Sequence, residues 1–273
     1  MPAARHQDVL CSTGPFWAFA LEDALDAVGE AGFTRVELMV SRDPRTQDPA
    51  TVGRLTSERG LEVAAVHAPF LVLTRGVWGF EPVAKIQRGI AMCAALGAPT
   101  LIVHPPLLWE VSYTRWLRAE AHGPLDGVTV AVENMYPRWV SGRALSAYRW
   151  TDPAELHAAA SHVALDVSHL TVARHNALAS YELLRPKLVH VHLSNNAGDG
   201  RDGHLPLDEG VVPVEELLAE MRRTHYAGTI SLELSVRRYA ERPRDLVETL
   251  KRNRMYVLDR LSPPRKLTEG LGP

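Results

Sequence analysis

Eight short runs rich in Val, Ile and Leu recur along the chain, each followed by a helix or helical segment. This alternation restricts the fold more than any other feature. The runs are Asp8–Ser12, Arg35–Met39, Glu62–His67, Thr100–His104, Thr129–Glu133, Val163–Asp166, Leu188–Leu193 and Thr229–Glu233. Most are apolar at successive positions, so both faces are expected to be buried, as in parallel strands covered by helices. Between them, Ala18–Ala31, Pro82–Leu96, Pro153–Ala160, Pro213–Arg223 and Asp245–Leu261 carry helical patterns. Gly97 is placed as a C-cap, and Asp152 followed by Pro153 as an N-cap and first helical residue. The runs recur at a mean spacing of roughly 32 residues, the length of a βα unit. Eight such units in 273 residues predict an α/β chain closed into a single (β/α)8 barrel over residues 1–261, with a loose tail over 262–273. An open doubly wound sheet is the runner-up, but no Gly-x-Gly-x-x-Gly follows the first run, where Gly14 stands alone. The least regular stretch is Met135–Trp150, expected as a long loop carrying Arg138, Trp139, Arg143, Tyr148, Arg149 and Trp150.

Composition narrows the setting. With 46% hydrophobic and 23% charged residues there is ample apolar material for a core, which excludes disorder. A formal net charge of -2 advertises neither a nucleic-acid coat nor an acidic tail. Two cysteines, Cys11 and Cys93, are too few for a disulfide framework or a thiolate zinc site. No apolar run approaches the roughly 18 residues of a membrane span, and the N-terminus lacks a signal-peptide core. A cytoplasmic enzyme with no membrane partner is the expectation; a homo-oligomer is left open.

The 12 histidines are the telling count. The third and fourth runs end at His67 and His104, the fifth at Glu133, the sixth at Asp166, the seventh near His190 and His192, and the eighth at Glu233. In a barrel, those strand ends converge on one rim, where active sites are built. A carboxylate closing an apolar run is costly to bury unless paired or bound to metal. Imidazole plus carboxylate suits zinc, manganese, iron or cobalt rather than calcium. Strand alternation sends His190 and His192 to one face; His192, nearer the end, is favoured as ligand and His190 as a deeper supporting group. His6, His122, His157, His162, His175 and His225 fall in helices, loops or strand starts and read as surface or structural. The turn-rich loop Ser194–Gly210 adds an Asp202-x-His204 pair, a weak chelating signal by itself.

These pieces, His67-Ala-Pro, His104-Pro, Val-Glu133-Asn, Asp166-x-Ser-His169, His-x-His192-Leu-Ser-Asn, Arg-Asp202-x-His204-Leu-Pro and Leu-Glu233, resemble in order and placement the xylose-isomerase-like TIM-barrel superfamily. That superfamily holds sugar and sugar-phosphate isomerases and epimerases together with endonuclease IV-like enzymes. The resemblance runs from about Val9 to Leu258. It implies a divalent metal (Mn, Zn or Co) held by Glu133, Asp166, His192 and Glu233. It also implies up to three ions if His67, His104, His169, Asp202 and His204 join, as in endonuclease IV.

Two activities follow from the resemblance. In the first, a metal-dependent isomerase or epimerase stabilises an enediolate, and Glu133 and Glu233 take and return the proton. His169, Arg201, Asn134 and Trp139 are then the expected substrate contacts, with Trp139 and Trp150 either closing over the sugar or packing the loop onto the barrel. In the alternative, a multinuclear zinc phosphoesterase cleaves an abasic site in DNA or another phosphate ester. The stretch Asn134-Met135-Tyr136-Pro137-Arg138-Trp139 departs from the endonuclease IV wording, and no basic-aromatic cluster stands near His67 or His104. A small sugar-like molecule is therefore the preferred partner over nucleic acid. A barrel keeping these ligands as idle relics ranks last, because buried carboxylates without a role are costly.

Overall fold

A computed structural model describes residues 9–262. Eight parallel strands close a barrel: β1 (Val9–Ser12), β2 (Arg35–Met39), β3 (Glu62–His67), β4 (Thr100–Val103), β5 (Thr129–Glu133), β8 (Val163–Asp166), β9 (Leu188–Leu193) and β10 (Thr229–Leu232). Neighbours follow the order β1-β10-β9-β8-β5-β4-β3-β2, and β1 pairs with β2 to complete the ring. Asp8 and the tail residues 263–273 lie outside the described residues. His104 and Glu233 stand one residue beyond the strands they were expected to end.

Around the barrel run α1 (Leu21–Glu30), α2 (Pro49–Ser57), α3 (Pro82–Leu96), α4 (Val111–Glu120), α5 (Pro153–Ala159), α6 (Val167–Ala173), α7 (Ala177–Leu184), α8 (Val214–Arg223) and α9 (Pro243–Leu261). The starts follow local chemistry. Asp48, Asp152 and Asn176 each accept a backbone N–H of the first turn, and a Pro follows the two Asp caps. Gly97 ends α3 at φ 70, a left-handed conformation that glycine adopts without strain. The first helix begins at Leu21 rather than Ala18, because Gly14–Phe16 forms a short 3-10 turn and Ala20 is extended. Among the described residues, no helix is long and apolar enough to cross a membrane.

Apolar residues divide into two clusters. The larger lies between strands and helices and includes Leu25, Val36, Ile86, Leu101, Leu156 and Leu218. The smaller fills the lower lumen with Leu10, Ala64, Ala65, Ile102, Ala131 and Ala164. Two residues further along β5 and β8, on the same face, come Glu133 and Asp166, so small apolar side chains give way to ionisable ones toward the rim.

The stretch 135–150 is not the irregular loop expected from sequence. It contains an antiparallel hairpin of β6 (Arg138–Val140) and β7 (Arg143–Leu145). Ser141 and Gly142 turn it with φ of 50 and 79, as a two-residue hairpin turn requires. Arg149 N–H donates to Pro106 O and Leu108 N–H to Ala147 O, tying this arm to the loop after β4.

The loop after β9 is pinned as firmly. Asn195 and Leu205 exchange backbone hydrogen bonds of 2.8 Å, the Asn195 side chain accepts from Val212 N–H, and Asn253 accepts from Leu207 N–H. Gly210 sits here at φ 143, where a Cβ would come within 2.5 Å of Asn196 O. Gly210→Ala is expected to destabilise the protein by roughly 2 kcal/mol through overpacking and backbone strain, read as a lower urea midpoint.

Candidate metal centre

Side chains from β2, β3, β5, β8, β9 and the segments after β4, β8, β9 and β10 meet at the C-terminal rim. Glu133 is their hub. Its Oε2 lies 3.2 Å from His67 Nε2 and 3.3 Å from His104 Nε2, while its Oε1 lies 2.8 Å from His192 Nδ1. The same His192 Nδ1 faces Glu233 Oε2 at 3.3 Å and Asp166 Oδ2 at 3.8 Å. Glu133, Asp166, His192 and Glu233 thus present ligand atoms all within 4.8 Å of one another.

A second group forms at the outer side. His169 Nε2 and His204 Nε2 face the two oxygens of Asp202 at 3.2 and 3.1 Å. Ser168 Oγ donates to Asp202 Oδ1 at 2.7 Å and Asn196 Nδ2 donates to that Oγ, so the Asp202 carboxylate is held from behind. Tyr136 lays its ring 4.8 Å from that of His169 and its hydroxyl donates to Asp202.

The imidazoles are oriented from their far sides. His67 Nδ1 donates to Ala68 O, His169 Nδ1 to Asn134 O and His204 Nδ1 to Glu233 O, at 3.1, 2.9 and 3.1 Å. His192 Nε2 points at Glu37, whose two oxygens both lie 3.0 Å away. One nitrogen fixed by an acceptor and the other aimed at carboxylate oxygens is the arrangement of a metal-ligating histidine.

The electrostatics fit a cation. Burial, reinforced by neighbouring carboxylates, raises the Asp166 and Glu233 carboxyls above the usual range despite nearby histidines. Burial likewise opposes ionised Glu133, yet His192, His104 and His67 hold it well below. Burial disfavours charge on His204, but Asp202 and Asp166 carry it up to about 10; Glu37, Glu233 and Glu133 raise His192 in the same way. Asp166 Oδ2 is buried without a hydrogen-bond partner, and so is His104 Nδ1. Buried carboxylates gathered this closely favour a positive charge among them, and a divalent ion held here would supply it. Glu133, Asp166, His192 and Glu233 would hold one ion. Among the described residues, His67 with Glu133 and His192, and His169 and His204 with Asp166, also bring ligand atoms within 4.8 Å of one another, with His104 and Asp202 alongside. Buried Cys11 takes no part: burial, with Glu37 and Glu233 nearby, pushes its thiol far above the usual range.

All nine residues expected as ligands therefore come together. Three expected substrate contacts are placed differently. Arg201 has an 87% exposed side chain directed at Asp199 and away from the cluster. Trp139 donates its Nε1–H to Val172 O and lies under the Arg174 guanidinium, 3.9 Å away, so it fastens the hairpin to the barrel. Asn134 clamps the Asp166 backbone from both sides, accepting from its N–H at 2.7 Å and donating to its O at 3.0 Å, and so positions a ligand. Trp150 is buried in the outer core.

Glu37 was missed by sequence reasoning. It is fully buried in the middle of β2 and also accepts from His190 Nε2 at 3.0 Å, which explains the deeper histidine. The signal in the sequence is a lone carboxylate in Val36-Glu37-Leu38, away from the strand ends where the other ionisable residues fall. Glu37→Gln keeps the shape but removes the charge that orients His192. Metal affinity is expected to fall by about 10- to 100-fold, measured by competition with a fluorescent chelator; unchanged affinity would assign Glu37 to packing alone.

Residues 25–255 match the family described as xylose isomerase-like TIM barrel. The protein ML2432 of Mycobacterium leprae, whose own description is uncharacterized, is 32% identical over 274 residues, covering 90% of this chain and 96% of that one. Among solved structures, a D-tagatose 3-epimerase-like protein superposes with a TM-score of 0.68 at 21% identity, covering 93% of this chain and 100% of the other. An AP endonuclease, family 2, from Brucella melitensis does so with a TM-score of 0.64 at 18% identity, covering 86% and 99%. The match over most of its length, on a closed barrel with this rim, makes the chain a member of the xylose isomerase-like TIM-barrel family.

Proposed function

We propose that the protein is a divalent-metal-dependent isomerase or epimerase of a small polyhydroxylated carbonyl compound. The observation that carries this reading is the convergence of Glu133 and Glu233 on one point beside His192, from strands separated by β9 and β8. A divalent ion bound there supplies Lewis acidity to adjacent substrate oxygens. The protein supplies the proton traffic: one carboxylate removes the proton from the carbon beside the carbonyl, and the other delivers a proton on the product side. His169, whose Nε2 faces Asp202, would meet a substrate hydroxyl in exchange for that contact. The rings of Tyr136 and Tyr148 lie beside those of His169 and His104, at 4.8 and 6.0 Å. The barrel of residues 1–261 is the acting unit, and two free, buried cysteines suit a cytoplasmic setting.

A second reading rests on the outer ligands. His67 and His104 on one Glu133 oxygen, with His169 and His204 about Asp202, supply a complete set for a three-metal phosphoesterase. The departures around Met135–Trp139 weigh against a DNA substrate.

Glu133→Gln and Glu233→Gln should each lower turnover by about 10²- to 10⁴-fold, followed as deuterium exchange from solvent into ketose substrates by NMR. Undiminished exchange in Glu133→Gln on any sugar the wild type converts removes its assigned role. Metal analysis of protein purified without added metal separates the two readings. About one exchangeable ion per chain with ketose conversion supports the first; nearly three tightly held zinc ions with cleavage of an abasic duplex support the second.

A further inference from the structure

Beside the barrel rim lies a cavity of about 530 Å³, within the range of small-molecule sites. Its walls come from three segments: Phe70 and Leu73 after β3, Trp109 after β4, and Tyr136, Leu145 and Tyr148 on the hairpin arm. It adjoins the metal-ligand cluster. The rings of Phe70 and Tyr148 lie 6.3 and 6.0 Å from His104, and that of Tyr136 lies 4.8 Å from His169. The cluster offers ionisable and hydrogen-bonding groups, whereas the cavity walls offer chiefly aromatic and aliphatic surface.

A free sugar lodged in this cavity would lose water from its hydroxyls without gaining partners for them. A flat apolar group is the matching occupant. Large apolar side chains also stand open at the rim, with Leu73 69%, Phe80 74% and Trp109 62% exposed. An apolar surface rimmed by polar residues at a cavity mouth marks a binding site.

The charges in the cavity add a second requirement. Arg75, Lys85 and Arg138 line it, against the single carboxylate of Glu110 among the described residues. Lys85 Nζ is already engaged, donating to Pro69 O and Arg75 O at 2.8 Å each. Glu110 Oε2 accepts from Leu107 N–H at 2.8 Å. The exposed Arg75 and Arg138 side chains have no ion-pair partner among the described residues, which leaves two guanidinium groups for an anion.

We infer that the substrate is bipartite: a polyhydroxylated head at the metal-ligand cluster, and an aryl group bearing a carboxylate or similar anion in the adjoining cavity, met by Arg75 and Arg138. The inference rests on the isomerase reading for the head alone; the aryl-anion end rests on the cavity.

The probes are 2-naphthoate and neutral 2-naphthylmethanol, titrated calorimetrically into the metal-loaded protein. Naphthoate is expected to bind one per chain, at least tenfold tighter than the alcohol. Arg75→Ala with Arg138→Ala should abolish that tenfold difference. Leu73→Ser with Phe80→Ser, both at exposed positions, should weaken both probes, with metal content unchanged in every variant. A 4-carboxyphenyl glucoside should likewise bind more tightly than methyl glucoside. Naphthoate binding without that glucoside gain would uphold the aryl-anion cavity and overturn the polyhydroxylated head. Ketose conversion without naphthoate binding would keep the isomerase reading and overturn this inference. A stable dimer by light scattering that fails to bind either probe would also overturn it, assigning the rim to a second copy of the chain.

Discussion

The bridging carboxylate of Glu133 is the interaction on which the rest of the rim depends. One oxygen serves His67 and His104, and the other serves His192. Removing an ionised group from water costs several kcal/mol unless opposite charge and hydrogen bonds replace the lost hydration. The barrel meets that requirement with alternating partners: Glu37 against His190 and His192, Glu133 against three imidazoles, and Asp202 against His169 and His204. Asp166 and Glu233 are the members whose negative charge is least compensated, and they lie on the side of His192 where a cation fits.

The parts of the molecule divide this work by their rigidity. Strands hold Glu37, His67, Glu133, Asp166 and His192, whose backbones are fixed by the parallel ladder. The loop after β9 brings Asp202 and His204 through a network of Asn side chains, with His204 held at a positive φ of 44. That strained conformation persists because the surrounding hydrogen bonds leave it no alternative. The segments after β3 and β4 and the hairpin arm build the apolar cavity beside the cluster. Loop chemistry can thus vary around a fixed centre, as in other barrels of this architecture.

Much of the centre was legible because it depends on a simple local pattern. Glu133 and Asp166 each close a run of apolar residues, and such runs become strands whose ends share one rim. Glu37 follows a different logic. Its partner His190 is 153 residues away in sequence, and the contact crosses the barrel lumen, so nothing local marks it. Arg201 and Trp139 illustrate the opposite case. Their residue types suit substrate binding, but the direction of a loop side chain depends on packing that no local pattern records. The hairpin at 138–145 carried a Ser141-Gly142 turn signal, yet its strands are short and largely exposed, leaving no apolar alternation to read.

Sequence by itself determined the eightfold alternation, and with it the closed barrel, because βα units of this length and polarity have few ways to bury both faces of their strands. It also determined which strand ends bear carboxylate or imidazole, since the period of two assigns each residue a face. Tertiary structure alone decided which of those groups share an oxygen, which histidine nitrogen faces the centre, and where the cavity opens. Those outcomes depend on distances of about 3 Å between residues far apart in the chain, and only ring closure and loop packing set distances on that scale.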